Sequence, residues 1–157
     1  MKLTTLCYIT CKDRMLMLYR NKKENDENAG KWVGIGGKLE DGESPEDCLL
    51  REVREECGIT LSSYAFRGIV TFVSDVWGTE YMCLYTAECE GEEISDCSEG
   101  ELHWIEKERV ASLPMWEGDR VFFDLIEKDE PFFSLKLVYK GDDLSEVYLN
   151  GEKIEYQ

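Results

Sequence analysis

Residues 37–59 read GKLEDGESPEDCLLREVREECGI, and the reading of the whole chain turns on this stretch. Gly37, Glu43, Arg51, Glu52, Val53, Glu55, Glu56, Gly58 and Ile59 satisfy the pattern G-x5-E-x7-R-E-U-x-E-E-x-G-U, with U an aliphatic residue. From average residue usage, a chance match has odds on the order of 10⁻⁸ for one stretch. Ser44-Pro45-Glu46-Asp47 predicts a helix start: a hydroxyl N-cap, proline at the first helical position, then acids in the first turn. Cys57-Gly58 predicts the stop, because glycine accepts the left-handed conformation at a helix end. Between them Glu52, Glu55 and Glu56 stand at i, i+3 and i+4, so all three carboxylates are expected to point one way. Leu49, Leu50 and Val53 lie on a different arc and can bury. Like charges at this spacing destabilise an isolated helix by roughly a few tenths of a kcal/mol each, so something should compensate. Hard oxygen ligands on one face suit Mg²⁺ or Mn²⁺.

Composition sets the frame around that stretch. A chain of 157 residues is expected to form one domain, 1–157, with a real core. A net charge of −16 argues against a nucleic-acid duplex or an anionic membrane as partner, since both would be repelled. A small anionic substrate remains compatible if metal screens it. The seven cysteines show no paired spacing and there is a single histidine, which argues against a zinc site. The odd cysteine count and the lack of a signal peptide lead to an expectation of free thiols in a cytoplasmic setting. No apolar run reaches the length of a membrane span.

Along the chain, residues 3–10 and 15–19 read as strands joined by Lys12-Asp13-Arg14. Residues 21–30 (NKKENDENAG) form a polar loop, expected either as a mobile lid or as plain surface. Residues 32–35 read as a short strand entering Gly36-Gly37. Residues 64–74 and 80–88 are β-rich runs around a turn at 75–78. An acidic loop at 90–100 precedes a short strand at 102–105, then one or two helical turns at 106–113. Val121, Phe122, Leu125 and Ile126 place an amphipathic helix at 119–128. Residues 132–139 and 146–149 flank Gly141-Asp142-Asp143 as a C-terminal hairpin. The order β, α, β, α, β predicts an α+β fold with helices packed on a mixed sheet.

The patterned stretch and its surroundings resemble the MutT/Nudix hydrolase family over nearly the whole chain. The resemblance implies an α/β/α sandwich, with the patterned stretch as a loop-helix-loop metal site. It also implies Mg²⁺-dependent hydrolysis of a nucleoside diphosphate linked to another group. Carried over by position, Glu52, Glu55 and Glu56 become metal carboxylates, with the Gly36 carbonyl as a further ligand. Glu43 and Arg51 would pair to hold the loop on the helix, a structural role shared with Gly37 and Gly58. The general base is either Glu52 or another glutamate. A further acid outside the box, a few residues before an aromatic strand, matches Glu99, five residues before Trp104. A polyphosphate repels nucleophiles; divalent ions neutralise it and lower the pKa of a bound water. Lys38 and Arg20 are best placed to hold phosphates, or else serve as solvated surface charge.

Within the family, three stretches resemble the 8-oxo-dGTP diphosphatases: residues 30–38, residues 113–119 (LPMWEGD), and the strand at Pro131-Phe132-Phe133. In such relatives the residue matching Trp116 stacks on the purine and an acid matching Asp119 bonds its polar edge. Asp119 reads equally well as the N-cap of the second helix. Where some relatives place an asparagine that contacts the oxidised base, this chain has Val33, which can form no such bond. The leading expectation is a monomeric enzyme that converts oxidised purine nucleoside triphosphates to a monophosphate and pyrophosphate. Alternatives are a Nudix hydrolase of ADP-ribose, dinucleoside polyphosphates or ordinary dNTPs, and a non-catalytic nucleotide sensor. Sensors typically lose box glutamates; this chain keeps them all.

Overall fold

Strand β1 (Lys2–Cys11) turns through Lys12 and Asp13 into β2 (Arg14–Arg20), with Lys12 in a left-handed conformation at φ 55. Side chains along both strands alternate between two buried faces: Cys7, Ile9, Leu16 and Leu18 on one, Tyr8 and Met17 on the other. Burial on both faces explains why the strands read as near-continuous apolar runs. The computed structural model describes residues 1–91 and 93–156.

The remaining elements are β3 (Trp32–Val33), β4 (Ile35–Lys38), α1 (Pro45–Cys57), β5 (Ser63–Ser74), β6 (Gly78–Glu88), β7 (Gly100–Glu106), α2 (Lys107–Val110), α3 (Glu117–Glu127), β8 (Phe133–Lys140), β9 (Asp143–Leu149) and β10 (Glu152–Ile154). The sheet runs β10-β9-β8-β5-β6-β1-β2-β3, with β4 paired to β1 and β7 to β2. The β1–β6 and β5–β8 pairs are parallel and the others antiparallel, so the sheet is mixed. Leu49, Val53 and Cys57 of α1 cover one face; Val121 and Phe122 of α3 cover the other. The expected α/β/α sandwich is the observed architecture. Among the described residues, no helix is long and apolar enough to cross a membrane.

Helix α1 starts and stops where its sequence predicts. The Ser44 hydroxyl accepts from the Asp47 N–H at 3.1 Å, and the Asp47 carboxylate accepts from the Ser44 N–H at 3.0 Å. Gly58 ends the helix at φ 72. One residue expected in the core of this helix's buried face is not there. Leu50 is 41% exposed, and Cys48 buries in its place. Each residue advances about 100° round the helix, which carries Leu50 from Leu49 toward the Arg54 side, away from the sheet.

Helix α3 starts two residues earlier than expected, and Asp119 is not its N-cap. Trp116 occupies that position without a side-chain cap, and the Asp119 N–H donates to the Trp116 carbonyl at 3.0 Å. An orphan N–H of the first turn, that of Gly118, donates instead to the Tyr139 hydroxyl at 2.7 Å. A Cβ on Gly118 would lie 2.6 Å from that hydroxyl, so the contact requires glycine. The cap is therefore supplied by a distant strand, which local sequence cannot reveal. Strand β10, which closes the sheet edge on β9, was also absent from the sequence reading.

The 21–30 loop is a tethered segment, not a free lid. Its ends close through Gly30 N–H to the Arg20 carbonyl (2.9 Å) and Arg20 N–H to the Lys31 carbonyl (3.0 Å). Within it Asp26 pairs with Arg20 at 2.8 Å and Glu27 with Lys2 at 3.1 Å.

Candidate active site

A cleft of about 650 Å³ is lined by Gly36, Gly37, Lys38, Glu52, Glu56, Glu99 and Arg20, and also by Val33, Phe72, Trp116 and Asp119. The acidic part is built on α1 and β4. Strand β4 pairs with β1, setting Gly36 opposite Leu6 and Gly37 opposite Thr5. A Cβ on Gly37 would stand 2.5 Å from the Glu52 carboxylate, so that carboxylate can lie over the strand only because the residue is glycine.

Arg51 clamps this arrangement. It takes the two Glu43 oxygens at 2.7 and 2.9 Å, donates to the Lys38 carbonyl at 3.1 Å, and reaches Glu52 at 2.7 Å and Glu55 at 3.3 Å. Two parallel N–H···O bonds are the strong form of a carboxylate–guanidinium pair. They hold the Glu43 carboxyl down at about 2, while the same bonds raise the Arg51 pKa further.

The three box glutamates do not share one environment. Glu52 and Glu56, one helical turn apart, face the cleft. Glu55 stands about 100° round from Glu56, and its side chain is 61% exposed beside Arg51. Burial raises the Glu52 carboxyl above the usual range. Glu56 is pushed up to about 9, first by burial and then by the charges of Glu99 and Glu52. Its Oε2 is buried and has no hydrogen-bond partner among the described residues. Glu99, just before β7, accepts from Arg20 at 3.1 Å. Arg20 therefore bridges Asp26 and Glu99, and it lines the cleft while doing so.

This set fits a divalent cation. An orphaned carboxylate oxygen, a second raised carboxyl and a third facing acid are hard donors whose mutual repulsion a cation would relieve. Among the described residues no three of His, Cys, Asp or Glu are gathered into a ligand cluster; Arg51 bonds Glu52 and Arg20 bonds Glu99.

The aromatic part is assembled from more distant segments. Trp116 packs edge-on to Phe72 at 5.3 Å and to Tyr139 at 4.9 Å. Its indole N–H donates to Asn28 Oδ1 at 2.9 Å, and the Lys31 ammonium lies 4.3 Å from the ring centre. Trp116 is thus both a core residue and a cleft wall. Asp119, three residues on, is buried in the same cleft, and its carboxyl is raised to about 7 by burial, against the opposing pull of Arg120 and Lys31. Val33 is a buried aliphatic wall. Lys38 lies exposed at the rim. The sequence reading overlooked Phe72, Asn28 and Lys31. Phe72 sits in a strand with no mark to separate it from other core aromatics. Asn28 lies in a polar run where nothing local singles it out.

Residues 2–126 match the Nudix domain family. An uncharacterized Nudix hydrolase of Bacillus subtilis is 33% identical over 132 residues, spanning 80% of this chain and 79% of that protein. An oxidized purine nucleoside triphosphate hydrolase of Danio rerio is 28% identical over 91% of this chain and 90% of its own length. Among solved structures, the mutator MutT protein of Bacillus halodurans superposes with a TM-score of 0.83 at 28% identity, covering 97% of this chain and 99% of that one. Family match, fold and the carboxylate-lined cleft agree: the chain belongs to the Nudix hydrolases, enzymes that act on nucleotides and generally use divalent metal ions.

Proposed function

We propose that this protein is a Mg²⁺-dependent nucleoside triphosphate pyrophosphohydrolase, able to use Mn²⁺, that acts on oxidised purine nucleotides such as 8-oxo-dGTP. The products would be the monophosphate and pyrophosphate. It would work as a single-domain monomer on the cytoplasmic nucleotide pool, with DNA repair served through nucleotide sanitation. The observation that carries this reading is the continuity of the cleft, whose lining includes the box carboxylates Glu52 and Glu56, a Trp116–Phe72 aromatic wall and the buried acid Asp119.

Glu52, Glu56 and Glu99 would hold the cations through carboxylate oxygens, with the Gly36 carbonyl alongside. The packing favours these three over Glu55, which stands outside the cleft. Bound divalent ions supply charge neutralisation of the polyphosphate and a more acidic water. Arg20 and Lys38, both in the cleft lining, would take phosphate oxygens. The proton of the attacking water passes to a carboxylate of the set, a contribution of about 10²–10⁴-fold in rate. Trp116 would stack on the base and Asp119 would accept from its polar edge. Gly37, Glu43, Arg51 and Gly58 would serve the scaffold.

A second reading, hydrolysis of another nucleoside diphosphate derivative, is favoured by Val33, which offers the base no hydrogen bond. The test is product analysis across 8-oxo-dGTP, dGTP, dATP, ADP-ribose and a dinucleoside polyphosphate, with Mg²⁺ or with EDTA. Pyrophosphate release, fastest from 8-oxo-dGTP and abolished by EDTA, supports the proposal. A preference for ADP-ribose or the dinucleoside polyphosphate overturns it.

A further inference from the structure

The indole N–H of Trp116 can only donate a hydrogen bond. The Asn28 side-chain atom that meets it at 2.9 Å must therefore be the amide oxygen, which settles the orientation of an amide that distance alone would leave open. The Asn28 backbone is pinned as well: its N–H donates to Asp26 Oδ1 at 3.1 Å, and its carbonyl accepts from the Lys31 N–H at 2.9 Å. Asp26 is in turn held by Arg20. The side chain cannot turn over without losing the Trp116 bond. Its Nδ2 has no acceptor among the described residues, and the half-buried residue lines the cleft beside the aromatic wall.

Beside the Lys31 ammonium over the Trp116 ring, the cleft offers two neutral or acidic polar groups of opposite kinds near this wall. Asp119 supplies carboxyl oxygens to the cleft lining, and Asn28 supplies an N–H₂ donor whose direction the tryptophan dictates. A purine of the guanine type presents a matching edge, with donors at N1 and N2 and a carbonyl acceptor at C6. Its oxidised form adds a second carbonyl at C8. Adenine has an amino group where guanine has the C6 carbonyl, so a fixed donor there meets another donor.

We infer that Asn28 is a specificity-determining residue: its Nδ2 donates to a carbonyl oxygen of the bound purine while its Oδ1 locks Trp116 in the stacking position. The inference rests on the proposed triphosphate hydrolysis and deepens it, because it assigns base selection to a side chain in the loop after β2.

Two substitutions separate the roles. Asn28→Asp keeps an oxygen for the Trp116 N–H and removes the donor; Asn28→Ala removes both. The measurements are kcat and KM for 8-oxo-dGTP and dATP, followed by pyrophosphate release, together with the melting temperature. With Asn28→Asp, the ratio of kcat/KM for 8-oxo-dGTP over dATP should fall roughly tenfold or more, with the melting temperature close to wild type. Asn28→Ala should show the same fall in ratio, and in addition a lower melting temperature and a higher KM for both nucleotides. Because the alanine variant carries no added charge, a matching fall in both variants identifies the lost donor as the cause. An unchanged or increased ratio in either variant overturns the inference while leaving triphosphate hydrolysis standing. Failure of the wild type to release pyrophosphate from any triphosphate removes the proposed function, and this inference with it.

Discussion

The acidic and aromatic parts of the cleft are built in opposite ways. The acidic part comes mostly from one stretch, residues 36–56, where a capped helix and its leading loop carry the glycines, Arg51 and two of the three facing carboxylates. The aromatic part draws single residues from the loop after β2, from β3, from β5 and from the start of α3. A helix sets the spacing of its own side chains, so a chemistry needing several acids together can be written locally. A slot shaped for a base has to be walled on several sides, and no single element can do that.

The sharpest way to break this contrast is at Glu56. Glu56→Gln should lower kcat by about 10²–10⁴-fold while the metal-free protein melts at the wild-type temperature or above it. The folded carboxyl, at about 9, lies above its unfolded value. The fold is therefore least burdened by Glu56 below pH ~4.5, and stability drains as pH rises from there toward 9. Calorimetry in EDTA should show a falling melting temperature over that window for wild type, with a flatter profile for Glu56→Gln. Identical slopes would remove Glu56 from its assigned environment.

Arg51→Ala comes next, because the residue belongs to the scaffold and not to the ligand set. It should reduce melting temperature and activity together. The Glu43 carboxyl is held at about 2 by Arg51, so the contribution of the pair is complete above the ordinary carboxylate range and is lost as pH falls toward 2. Urea denaturation of wild type and variant should therefore converge in acid. A constant difference down to pH 2 would show that the clamp is not what the variant removes.

On the aromatic side, Trp116→Ala should raise KM for every purine nucleotide, corresponding to about 1–3 kcal/mol of stacking. Asp119→Ala should instead narrow the differences among purines. If Trp116→Ala changes the ranking of bases and Asp119→Ala does not, the two assignments are reversed. The smallest effect is expected at Val33, where Asn would add an amide to an aliphatic wall. A few-fold gain in the preference for 8-oxo-dGTP over dGTP is expected, roughly one hydrogen bond's net worth. No gain in steady-state ratios would mean that the wall does not meet the base.

The fold was legible wherever neighbours in sequence are neighbours in space. The turn joining β1 to β2, the Ser44 cap, the Gly58 stop and the hairpins at 75–78 and 141–143 all follow from local stereochemistry. Legibility stopped where distant groups intervene. Asp119 has the residue type of an N-cap, yet the Tyr139 hydroxyl serves the first turn of α3 and leaves the carboxyl in the cleft. Glu55 carries the same motif signature as Glu52 and Glu56, but it projects from the solvent side of α1. Leu50 is apolar and lies outside the reach of the sheet.

While the pairing of Glu43 with Arg51 was an implication of the family resemblance, the sequence by itself determined the helix, its ends and the concentration of acids on one element. These depend on backbone geometry and charge over a few residues. Tertiary structure alone decided which acids are desolvated, which carboxylate oxygen is left without a partner, and which way the Asn28 amide points. Each of these depends on atoms from segments tens of residues apart. Burial and hydrogen-bond direction exist only once those segments have packed.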